Sequence, residues 1–223
     1  MADYPWLRKP VVQFYQRALS ILPSKEVHTT EALKVLEGYF FGFHDKSPWS
    51  HNDSFLLAHR LTSVKNKPQK QSSPMSLGYF INNNDQFIEI AKTHSWNWQQ
   101  GSMLQWLGSG SHMVFNDFIG KECVRIFDIN GKELERLEGN IGAVNTRGDK
   151  LLSYSFGRLS FGAPEYGYQS CSNKYLDSSA PQEDGLWVVS PKTRKRFMVV
   201  SLKYLSKKNE TPSMQGAYHF ITH

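Results

Sequence analysis

With 223 residues, 39% of them hydrophobic and 21% charged, the chain can bury a sizeable core and is not a disordered polymer. Its net charge of +6 permits an anionic partner, but the lysines are scattered, and no run approaches the ~18 apolar residues of a membrane-spanning helix. Two cysteines, Cys123 in an apolar run and Cys171 in a polar loop, make neither a disulfide framework nor a zinc site.

That cysteine usage predicts a reducing compartment. The N-terminus, MADYPWLRKP, lacks the apolar core of a signal peptide, so the expectation is a cytoplasmic protein. Apolar residues at 11, 12, 14, 15, 18, 19, 21 and 22 predict a helix over 10–22, with Pro10 in its first turn and Pro23 just past its end. A second helix or turn is expected at 30–36. After Gly38 the texture changes to short apolar or alternating runs punctuated by Gly, Asn, Asp, Ser and Pro, which is an all-β pattern.

The runs fall into three groups of four: 39–44, 54–61, 76–81 and 86–92; then 103–108, 112–118, 123–129 and 133–139; then 142–148, 151–159, 185–191 and 196–202. Asn130-Gly131 is a strong hairpin signal. The stretch GSGSHM (108–113) joins two strand-like runs, where Gly and Ser make a natural turn. Repeated four-stranded units predict a β-propeller. The expected organisation is a helical extension at 1–37 and propeller blades at 38–223: three blades, plus the first strand of a fourth at AYHFITH (217–223). Such an array does not close. Either it is the first part of a longer protein, the reading favoured here, or it closes by self-association through open blade edges, or the blades are miscounted. The stretch 160–183 is too long for a plain connection. The basic runs KTRKR (192–196) and Lys207-Lys208 read as solvated turns or edges.

Candidate chemistry is concentrated in SWNWQQGSMLQWL (95–107), which holds three of the six tryptophans. Trp96, Asn97, Trp98, Gln99 and Gln100 have the indoles and amides a sugar site would use. The alternative is an apolar core at Trp98 and Trp106, with amides satisfying the backbone. Asn116, Asp117 and Arg158 fall at the ends of second strands, and Tyr166 and Tyr168 in the long loop. Arg158 could clamp a substrate carboxylate, or pair with Asp117 or Asp184. His44 and Asp45, near Trp49 and His51, could form an acid–base pair or cap a turn before Pro48. His219 and His223 are four apart, which on a straight strand places them ~13 Å from each other. No nucleotide motif occurs, so no nucleotide cofactor is expected. Basic runs and tryptophans lie apart, which argues against nucleic acid.

Through HDKSPW (44–49), WNWQQGSMLQW (96–106), FND (115–117), GRL (157–159), PEYGY (164–168) and EDGLWVV (183–189), the chain resembles a bacterial β-propeller family remotely similar to oligogalacturonate lyases. The resemblance covers about 38–223 and implies later blades beyond this chain. It also implies a divalent metal, Mn or Ca, held by histidines, for which His219 and His223 are the candidates; ordinary terminal histidines are the alternative. The functional expectation is a carbohydrate-related protein, lyase-like towards acidic polysaccharide. In that chemistry the metal neutralises a uronate carboxylate, and a His or Arg removes the adjacent proton. As this chain alone it is expected to be inactive. The alternative is a non-catalytic scaffold binding a protein or glycan.

Overall fold

The computed structural model describes residues 5–20, 35–42, 44–61, 73–82, 84–208, 211–214 and 216–221. The chain separates into two compact units, Met1–Leu36 and Glu37–His223. In the first, helix α1 spans Pro5–Ser20. It starts earlier than the periodicity predicts. Pro5 takes the opening position, where a missing N–H is no loss, and Pro10 lies inside the helix. Val11, Phe14 and Tyr15 are exposed along it. Most of the expected turn at 30–36 lies outside the described residues. No described helix is long and apolar enough to cross a membrane.

The second unit holds three four-stranded antiparallel sheets. The first comprises β1 (Tyr39–Phe40), β2 (Phe55–Arg60), β3 (Met75–Ile81) and β4 (Phe87–Thr93). The second comprises β5 (Gln105–Trp106), β6 (His112–Phe118), β7 (Glu122–Asp128) and β8 (Glu133–Glu138). The third comprises β9 (Ala143–Val144), β10 (Leu151–Ser153), β11 (Gly185–Val189) and β12 (Arg196–Ser201). Within each sheet the strands follow chain order, and the grouping is the one the sequence predicts. The β7–β8 turn forms at Asn130-Gly131. The Asp128 carboxylate accepts from the Asn130 and Lys132 amides, both at 2.9 Å, and Gly131 takes φ +83°.

Alternation along β6 decides how the sheets meet. Met113 and Phe115 join a cluster with Leu57, Leu77 and Tyr79 of the first sheet. Val114, between them, joins Leu151 and Val189 of the third. Each fully buried side chain of this size contributes about 1.5–3 kcal/mol. A one-residue slip of β6 would turn the whole set to the wrong neighbour, so the register is strongly specified.

Three segments depart from expectation. The run 151–159 is not one strand: after β10 the chain enters helix α2 (Phe156–Gly162), whose N-cap Ser155 accepts from the Arg158 amide at 3.1 Å. Gly157 is required there, because a Cβ would meet the Ser172 carbonyl oxygen at 2.2 Å. Helix α3 (Leu202–Lys208) follows β12 directly, and Lys207-Lys208 sit in its last turn, where cations suit the helix dipole. The described part of 217–223 forms no strand. The His219 amide donates to the Ser179 carbonyl, and the His219 carbonyl accepts from Arg158, so these groups serve the long loop rather than a ladder.

Candidate ligand-binding cleft

The tryptophan-rich corner is an interlock rather than a rim. Trp96 is 1% exposed, and its indole N–H donates to the Ser73 carbonyl at 2.7 Å. Trp106 lies in the core between the first two sheets and donates to the Pro48 carbonyl. Asn97 is fully buried. Its side-chain oxygen accepts from the Gln99 and Gln100 amides, and its Nδ2 donates to the Tyr166 carbonyl at 2.8 Å. Gln100 is buried as well; of the five candidates in this corner only Trp98 and Gln99 face solvent.

Behind the corner lies a pairing that the sequence did not announce. His59 is fully buried, and its Nε2 accepts the Ser102 amide at 3.0 Å, with Ser102 Oγ also at 3.0 Å. Burial pulls the imidazole pKa down to about 4, opposed by the Phe40 and Phe41 backbone, so the ring is neutral. Ser102 is sealed from solvent, so the pair is structural.

The other predicted residues divide in the same way. Asn116 donates to the Ile141 carbonyl and to the Tyr168 hydroxyl at 3.1 Å; both Asn116 and Tyr168 are fully buried. Burial drives the Tyr168 phenol well up. Asp117 accepts from the His94 and Phe118 amides and from Arg125 at 3.0 Å, so it does not pair with Arg158. Arg158 lies on α2, not at a strand end, and is 1% exposed. Its guanidinium donates to the carbonyls of His219, Tyr175, Ser178 and Ser179, with Tyr218 stacked at 3.9 Å. Four of its five N–H donors are spent on the protein's own carbonyls, and neither Asp117 nor Asp184 is hydrogen-bonded to it. His44 and His51 are exposed, and Asp45 pairs with Lys46.

His219 has both ring nitrogens buried with no hydrogen-bond partner among the described residues, and His223 lies outside them. Among the described residues no three His, Cys, Asp or Glu side chains group closely enough to hold a metal ion. A single imidazole does not meet the ligand count a divalent metal needs, so no step is derived through one.

Other side chains with unmet capacity line a cleft of about 600 Å³ between the second and third sheets. That is within the roughly 300–1,000 Å³ typical of small-molecule sites. One wall is the β6–β7 turn with Lys121 and Glu122, together with Asn140 after β8. The other is Tyr154 after β10, Asp184 before β11, Trp187 and Arg196. The long loop contributes Ser172, Lys174 and Tyr175.

Arg196 stands over the Trp187 ring at 4.0 Å, and its guanidinium makes no hydrogen bond or ion pair among the described residues. Glu122 accepts from the Ser172 amide at 3.1 Å and from Asn140 at 2.9 Å, and burial raises its pKa. Asp184 accepts from the Gly185 amide and is likewise raised by burial. Beside them, burial pushes the Cys171 thiol up to about 12, so it is no nucleophile. Both signs of charge, several serines and an indole line it, groups that can meet hydroxyls, a charged group and an apolar ring face. Of these residues the sequence reading named Asp184 as a turn residue or a partner for Arg158, took Arg196 only as part of a solvated basic run, and singled out none of Glu122, Asn140, Tyr154 and Trp187. Spacing along the chain carries no sign that they share a wall. The chain matches no protein-family model, no curated protein and no solved structure.

Proposed function

We propose that the protein binds a carbohydrate, in its acidic form an oligosaccharide of uronate type, in the cleft between the second and third sheets. The observation that carries this is Arg196 lying on Trp187 with no hydrogen bond or ion pair to its guanidinium among the described residues, at the edge of a polar hollow large enough for one or two sugar rings. An arginine exposed beside an indole is equipped to take a carboxylate while the ring face meets sugar C–H groups.

The three sheets are, in this reading, consecutive blades of a β-propeller of the kind the sequence resembles. Supporting it, each sheet opens with its shortest strand or with one of two residues, and each packs face to face on the next. A second hollow, of about 520 Å³, is lined by 45–51, by β5 and by β9, as an axial depression would be. The proposal is of binding; turnover is not part of it.

Calorimetry with trigalacturonate and with its neutral galactose counterpart tests the reading. Wild type should bind both, the acid more tightly. Arg196→Ala should weaken the acid by about tenfold, or ~1.4 kcal/mol, and the neutral sugar less. Trp187→Ala should weaken both. If neither sugar binds, or if both variants bind as wild type does, the cleft is not a glycan site.

A further inference from the structure

In helix α1 every residue from Pro10 to Leu19 is exposed. Phe14 is 76% and Tyr15 62% exposed, and Val11, Val12 and Leu19 are nearly half exposed. Local preference gives this helix little support. Pro10 within it removes a backbone donor, and the β-branched Val11 and Val12 are stiff side chains. A helix of this length draws its stability mainly from packing an amphipathic face.

The face is there. At about 100° per residue, Phe14, Ala18, Val11, Tyr15, Leu19 and Val12 follow one another across an arc of about 160°. Gln13, Gln16 and Arg17 take the opposite side. A protein groove reads the narrow line i, i+3, i+4 and i+7, here Val11, Phe14, Tyr15 and Ala18. Val12 and Leu19 widen the arc past that line, to the breadth of a helix half sunk in an apolar medium.

Charge selects the medium. The 16 residues of α1 include Arg8, Lys9 and Arg17 and neither Asp nor Glu, in a chain of net charge +6. Each cation close to an anionic bilayer surface favours binding by about fivefold. At ~1.5 Å per residue the helix is about 24 Å long, short of the ~30 Å hydrocarbon core, so a bilayer would hold it in the surface plane rather than across.

We propose that α1 binds anionic lipid bilayers, lying among the headgroups with Val11, Phe14, Tyr15 and Leu19 turned to the acyl chains and its cations among the lipid phosphates. The site is separate from the cleft and does not depend on the carbohydrate reading.

The test floats the full chain with vesicles of phosphatidylcholine alone and of phosphatidylcholine mixed with phosphatidylserine, beside thermal melts and sedimentation velocity without lipid. Wild type should bind the mixed vesicles at least about tenfold more tightly than the neutral ones, and added salt should narrow the difference. Phe14→Ser with Tyr15→Ser should weaken binding to the mixed vesicles by about tenfold or more. Lys9→Gln with Arg17→Gln should weaken it by about tenfold while leaving binding to neutral vesicles level. Both variants should melt as wild type does. No binding to mixed vesicles, equal binding to both kinds, or undiminished binding by the aromatic variant overturns the inference. So does a lowered melting temperature of the aromatic variant, which would mean that the face packs within the protein. A wild-type dimer that the aromatic variant dissociates assigns the face to a second copy of the chain and overturns it as well.

Discussion

The corner at 95–102 and the cleft between the second and third sheets differ in one respect that matters for function. The corner is dense in indoles and amides, yet the polar atoms of Trp96 and Asn97 are met from inside the protein. The cleft draws on residues that look ordinary in sequence, yet Arg196, Tyr154 and Asn140 keep hydrogen-bonding capacity that no described residue uses. Residue type tells what chemistry a side chain can do; the hydrogen-bond ledger tells whether that chemistry is already committed. By that measure Arg158 and Arg196, equal on paper, have opposite roles.

The largest effect should come from the committed arginine. Arg158→Ala leaves four carbonyl groups without their donor and should destabilise the protein by about 4 kcal/mol or more in urea denaturation. Arg158→Lys should recover little of this, since an ammonium has no planar fork. A loss below ~1 kcal/mol would erase the contrast between the two regions.

Next in size is the titration of His59. Its pKa is lowered from 6.5 to about 4 in the folded protein, so the unfolded chain binds the proton more tightly between those values. Stability should therefore fall as pH drops through that window, by on the order of 3 kcal/mol in all. His59→Gln should flatten that part of the pH–stability curve; an unchanged slope would mean the imidazole is not sealed.

Asn97→Ala removes the acceptor for two amides and the donor to the Tyr166 carbonyl, and should cost about 2 kcal/mol without altering sugar binding. A selective loss of binding would restore the corner as a site. Smallest of all, Arg196→Ala should change stability by no more than about 1 kcal/mol, since its guanidinium makes no hydrogen bond among the described residues and only stacks on Trp187. A larger loss would move Arg196 into the same structural class as Arg158.

How far the sequence reaches can be judged from particular segments. The runs RFMVV and GLWVV are strands because apolar and β-branched residues fit a pleated surface, and Asn130-Gly131 turns because glycine tolerates φ +83°. The run 151–159 was misread because Ser155 caps a helix inside what looks like one apolar strand. The segment 217–221 has a strand-like pattern, but its backbone bonds go to the long loop.

What the sequence determined by itself is the division into three sheets of four strands, because alternation and turn chemistry act over a few neighbouring residues. Which polar side chains are spent and which are free was decided only in three dimensions. Arg158 meets His219 across 61 residues and Asn116 meets Tyr168 across 52, distances over which no local pattern carries information. Hydrogen-bond satisfaction depends on which groups arrive within about 3 Å in the folded chain, so only the tertiary structure decides which polar side chains stay uncommitted.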